Sequence, residues 1–269
     1  MIAAALFVLA QPIAAAPPMP APSAPARTVA EDRLQVCLDR SRTDPASAIA
    51  EASTWAGEAS GPDASYPQQC LGMAYTALLR WEAAEQAFLA AREAAGESVR
   101  FRRAQLATMA ANAALAEERA DAALTALGLA AADAEASGNA GLRAMVAVDR
   151  ARALVLKGDQ AGAEAALAAA RTYDAQSPFA WLLSAALARR QGKLGEAQTF
   201  IQTAAALAPD YPEIGLEAGV IAMLGGREDA AAASWRSVVE TAPNSGEAAT
   251  ARDYLAQLED PAAEEPTGR

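Results

Sequence analysis

Residues 178–211 read PFAWLLSAALARRQGKLGEAQTFIQTAAALAPDY, and their spacing decides the fold class. From Pro178 onward, Trp181, Leu182, Ala185 and Ala188 recur at three- and four-residue steps, which lays one apolar stripe along one helix face. Gly192 closes that helix, because the residue past a helix C-terminus often turns left-handed and glycine does so without a steric penalty. A second stripe runs through Ala197, Ile201, Ala204 and Ala205 until Ala208-Pro209-Asp210 stop it, since proline cannot continue a helix. At 1.5 Å of rise per residue, two antiparallel helices of about a dozen residues each account for the whole stretch.

The same pattern returns on either side. Gly158, Gly192 and Gly226 stand 34 residues apart, and Ala163, Ala197 and Ala231 keep step with them. So do Leu167, Ile201 and Trp235, as well as the proline pairs Pro178/Pro212 and Pro209/Pro243. A fixed period of this length predicts a stack of one helix pair, each copy covering the apolar face of the last. Small residues recur where the two helices of a pair cross, which lets their backbones approach closely.

This pattern resembles the tetratricopeptide-repeat (TPR) family, whose Trp, Leu-Gly, Tyr, Ala, Phe, Ala and Pro fall at set offsets. The copy from Ser65 matches most fully, with Leu71, Gly72, Tyr75, Ala84, Phe88 and Ala91 in place; Gln68 and Gly96 replace the opening aromatic and the closing proline. The resemblance implies an all-α solenoid, a right-handed superhelix of stacked antiparallel helix pairs. Six pairs are expected, over 29–62, 65–98, 104–137, 144–177, 178–211 and 212–245, with a capping helix over 246–258. The pairs from Ala104 and Ala144 are degenerate and spaced nearer 40, which predicts helices longer by a turn. They are also the expected weak point of a stack whose stability is nearly additive.

The ends read differently. Ile2–Leu9 is almost wholly apolar and Ala14-Ala15-Ala16 follows, which suits a secretory leader over 1–16 and therefore a periplasmic or secreted protein. No Lys or Arg precedes the apolar run, so a disordered apolar tail on a cytoplasmic protein is the alternative reading. Residues 17–28 read as a Pro/Ala-rich spacer and 259–269 as a disordered acidic tail. Cys37 and Cys70 fall on the first helices of the first two pairs. Either they form a disulfide, as export permits, or they are two buried thiols.

Much chemistry is excluded. The chain has no histidine, which removes Ser-His-Asp and Cys-His catalysis and every histidine-ligated metal centre. No glycine-rich phosphate loop is present, and no cofactor is expected. Adjacent acids such as Glu117-Glu118 diverge on a helix rather than converge. A net charge of −11 disfavours nucleic acid. The one basic run, Arg100, Arg102 and Arg103, reads as a solvated face.

What remains is binding. In the family, the first helix of each pair lines a concave groove, and the implied wall includes Gln69, Gln105, Asn112, Arg152, Phe179 and Arg189. Amides there suit the backbone of an extended peptide, and Arg152 or Arg189 suits a carboxylate. Val148, Val155, Leu182 and Leu216 read equally well as packing between pairs. The family's carboxylate clamp of lysines and asparagines is absent apart from Asn112. The expectation is a non-enzymatic adaptor for a peptide or protein partner, with a self-assembling structural protein as the alternative.

Overall fold

The computed structural model describes residues 27–259, and among them are thirteen α-helices and one short 3-10 turn at Gly61–Ala64. The helices are α1 (Val29–Thr43), α2 (Pro45–Glu58), α3 (Ser65–Ala77), α4 (Trp81–Ala94), α5 (Arg100–Ala116), α6 (Ala120–Ser137) and α7 (Ala140–Lys157). They continue as α8 (Gln160–Tyr173), α9 (Pro178–Arg190), α10 (Leu194–Leu207), α11 (Pro212–Leu224), α12 (Glu228–Thr241) and α13 (Gly246–Glu259). The expected leader at 1–16, nearly all of the 17–28 spacer and the tail beyond Glu259 lie outside the described residues. No helix among those described is long and apolar enough to cross a membrane.

Five of the helix pairs turn in the same way. At Leu79, Glu118, Gly158, Gly192 and Gly226 the backbone swings to positive φ. The next residue then donates its N–H five residues back: Arg80 to Tyr75, Arg119 to Ala114, Asp159 to Leu154, Lys193 to Ala188 and Arg227 to Ala222, each at 2.9 Å. This bond satisfies a carbonyl that the helix end would otherwise leave open. Starts are sealed by side chains at several helices. Thr28 and Glu31 form a reciprocal capping box on α1, Asp44 caps α2, Asn139 caps α7 and Asp159 caps α8.

Helices α5 and α7 begin at Arg100 and Ala140, four residues ahead of the expected pair boundaries at Ala104 and Ala144. Alanine-rich sequence offers little to stop a helix, and α5 has no side-chain cap to mark its start.

Each second helix packs on the first helix of its own pair and on that of the next. First helices also meet one another, α1 with α3, α5 with α7, α7 with α9, α9 with α11 and α11 with α13, whereas second helices make no comparable contact. The stack therefore curves with its first helices inward. α13 covers the last pair, laying Tyr254 against Trp235 with ring centroids 5.0 Å apart.

The first of the two middle pairs is well packed. The largest continuous apolar cluster runs through it, from Ala84 and Phe88 on α4 through Leu106 and Leu127 to Leu142 and Val146 on α7. Much of what α5 and α6 bury is alanine, from Ala104 and Ala107 to Ala130 and Ala134.

Candidate functional site: the concave wall

The inner wall is built from one face of each first helix, and its character changes along the stack. At the N-terminal end, Arg102 on α5 reaches back over α3. Its guanidinium lies 3.9 Å above the Tyr66 ring and donates to Gln69 Oε1 at 2.8 Å. Gln69 is thus already engaged, and Gln105 stands half-buried one turn along α5. The neighbouring arginines do not form the solvated face expected of them. Arg103 is 7% exposed and Asp133 on α6 is 1% exposed, and Arg92, Arg100 and Arg103 converge on that one carboxylate at 2.8, 2.9 and 3.3 Å. Burial pushes the Asp133 carboxyl up, but hydrogen bonds from Arg100 and Arg92 outweigh this and hold it below the usual carboxylate range. The cluster ties α4, α5 and α6 together and offers no continuous basic surface.

Midway, Asn112, Asp149 and Arg152 form a polar group. Arg152 Nη1 donates to Asp149 Oδ1 at 2.9 Å and to Asn112 Oδ1 at 3.3 Å, joining α7 to α5. Asp149 is buried, and that burial raises its pKa against the opposing pull of Arg152 and Asn112. Sequence reasoning reached Asn112 and Arg152 but missed Asp149, which sits one turn before Arg152 at the edge of the apolar stripe.

The C-terminal half is more apolar. Met145 and Phe179 are 45% and 46% exposed, and Met223 on α11 is exposed as well. Phe179 stacks edge-on against Tyr211 with centroids 5.0 Å apart. Arg189 is half-buried and grips Glu217 on α11 through two bonds of 2.6 and 3.2 Å. Its neighbour Arg190 is exposed and makes no ion pair among the described residues. Leu182 turns into the core with Ile201 and Ile214, while Leu183 and Arg190 face α7. There Ala151, Arg152, Val155, Leu167, Leu183, Ala186, Leu187 and Arg190 line a cavity of about 220 Å³ between α7 and α9.

A second hollow, of about 420 Å³, lies on the outer side where α6 and α8 stand apart over α7. Alanines floor it, and its charges cancel, with Glu135 and Asp159 against Arg143 and Arg150.

No family model matches the chain, and no curated protein matches it by sequence. Solved structures do match. PilW, a widely conserved type IV pilus biogenesis factor, is 17% identical, with 87% of this chain and all of that one covered at a TM-score of 0.65. The pilF protein of Pseudomonas aeruginosa is 15% identical over 85% of this chain and 97% of its own, at 0.61. TTC0263, a TPR protein of Thermus thermophilus, is 21% identical over 72% and 98%, at 0.54. The chain has the TPR fold.

Within a TPR solenoid the first helices form the inner wall, and the contacts between first helices described above place it there in this chain. Of the six groove residues read from the sequence, Asn112 and Arg152 are brought together, Gln69 is taken by Arg102, and Arg189 by Glu217. Phe179 remains exposed. Cys37 on α1 and Cys70 on α3 are joined as a disulfide, with Cα atoms 6.0 Å apart, which links the first two units.

Proposed function

We propose that this chain is a non-enzymatic scaffold that holds an extended segment of a partner protein along the C-terminal half of its concave wall, in the cell envelope. The observation that carries this reading is the exposure of Met145, Phe179 and Met223 on successive first helices, beside polar groups already fixed in place by internal pairs. Apolar side chains left open on one continuous inner face suit a ligand that lies across several units. Fixed polar groups supply orientation without an ordering cost on binding. The apolar stretch at Ile2–Leu9 and the bonding of Cys37 to Cys70 favour the envelope as the setting.

A photo-crosslinking residue placed at 179, compared with one at Arg236 on the outer helix α12, tests the site in native envelope extract. Crosslinks to another protein from position 179 alone are expected. Crosslinks only between copies of this chain would overturn the adaptor reading in favour of self-assembly. Labelling of free thiols in protein taken directly from cells checks the compartment, and labelling of both cysteines would count against export.

A further inference from the structure

The cavity between α7 and α9 has a chemistry that the wall as a whole does not. Val155, Leu183 and Leu187 line it together with the buried Leu167 of α8, and its more exposed lining residues, Arg152 and Arg190, make up its rim. It exists because the side chains there are small. Ala151 and Ala186 are among its lining residues, and Leu167 stands at the position where other units carry Phe88 or Trp235. At about 220 Å³ it is smaller than the roughly 300 Å³ at which sites for drug-sized ligands begin, so it matches one apolar side chain rather than a cofactor.

The rim decides what accompanies that side chain. In a chain of net charge −11, α7 contributes Arg152 here and the last turn of α9 contributes Arg189 and Arg190. Asp149 engages Arg152 and Glu217 engages Arg189, which leaves Arg190 as the one of the three without a carboxylate partner among the described residues. Half of the Arg152 side chain is exposed even so, and beyond its bonds to Asp149 and Asn112 it retains guanidinium N–H groups for a further acceptor.

Building on the scaffold reading above, we propose that this cavity is the anchor point of the groove, and that it selects extended peptides bearing one branched or aromatic apolar residue flanked by a carboxylate. The apolar side chain enters between α7 and α9, and the neighbouring Asp or Glu meets Arg190 and the free edge of Arg152. The carboxylate gains a charge-assisted bond that lysine, serine or glutamine at that place cannot match. Like charge over the rest of the surface repels acidic segments elsewhere, which adds discrimination for this one spot.

The test is selection of random linear peptides displayed on phage against the full-length chain, followed by titration of the enriched peptides by fluorescence anisotropy. Three variants accompany the wild type: Arg190→Glu at the rim, Ala186→Phe to fill the cavity, and Arg236→Glu on α12 as a charge control. Circular dichroism melts confirm that each remains folded. The expected result is enrichment of an apolar residue beside Asp or Glu. Binding should weaken about tenfold with Arg190→Glu and with Ala186→Phe, and stay unchanged with Arg236→Glu. Enriched peptides without an acidic neighbour, or binding indifferent to Arg190→Glu and Ala186→Phe, would overturn the anchor while leaving the groove reading intact. Failure to enrich any peptide would overturn both.

Discussion

Leu79 and Glu118 hold φ near 57° and 56°, a conformation that costs an L-residue roughly 1–2 kcal/mol and glycine almost nothing. Three sister turns use glycine, and these two do not. Replacing Leu79 or Glu118 with glycine is therefore expected to stabilise the fold by about 0.5–1 kcal/mol, read from the urea midpoint, after the extra freedom of unfolded glycine is deducted. Gly192→Ala should do the reverse by a similar amount, since a Cβ there meets nothing within 4 Å and only the backbone objects. Sequence periodicity found the turns at Gly158, Gly192 and Gly226 but not these two, because the signal it follows is glycine itself and the geometry persists without it. Asp133 was invisible for a different reason. An acid in an alanine-rich helix reads as surface, and only the stacking of α4, α5 and α6 brings three guanidiniums to it. Its lowered pKa fixes the sign of a pH effect. The stability it supplies is complete above the unfolded carboxylate's pKa of about 3.9 and is lost as pH falls below that, through the lower folded value. Asp133→Asn should cost about 3 kcal/mol at neutral pH and flatten the acid limb of the stability–pH curve.

Where the two helices of a unit cross, residue sizes are matched in pairs. Phe88 faces Gly72 and Trp235 faces Gly219, while the smaller Ile201, Leu167 and Leu127 share clusters with Ala185, Ala151 and Ala111. A Cβ on Gly72 would fall 2.5 Å from the Phe88 ring, far inside contact distance. Gly72→Ala is thus expected to cost about 2–3 kcal/mol, clearly more than Gly192→Ala, with thermal melts giving the comparison. Combining it with Phe88→Leu should recover part of the loss, because that pair reproduces the alanine–leucine crossing already present in the middle units. This matching was legible from sequence, since both members keep the period. The facing of α9 was not. The family's offsets assign Arg189 to the groove and leave Leu182 open between groove and packing; in the fold Leu182 joins the core, Arg189 pairs with Glu217, and Leu183 and Arg190 line the cavity. A step of one residue turns a helix face by about 100°, so the choice rests on neighbouring helices that the local pattern does not describe.

Across the whole molecule, order is held at the two ends by unlike devices. At the C-terminal end α13 covers Trp235 and Val238 with its own Ala248 and Ala251. At the N-terminal end α1 buries only Cys37 and Ser41, and the Cys37–Cys70 bond fastens it to α3. Reducing that bond, or replacing Cys37 with Ser, should cost about 3–4 kcal/mol by the chain-entropy estimate for a loop of this length. The loss should appear as early hydrogen exchange confined to α1 and α2, with the later units melting as before, since repeats in a stack contribute nearly independently. The order of the units was legible because every unit repeats the same local code, whereas the ends depart from it. The open spacing of the outer helices has a mechanical consequence. Adjacent units are coupled mainly through each outer helix resting on the next inner one, while outer helices touch one another only through isolated side chains, as Arg92 on α4 does with Asp133 on α6 and Arg171 on α8 with Phe200 on α10. Bending about the inner seam therefore disturbs few contacts, and the solenoid behaves as a spring whose softest mode widens or tightens the curve that the inner helices enclose.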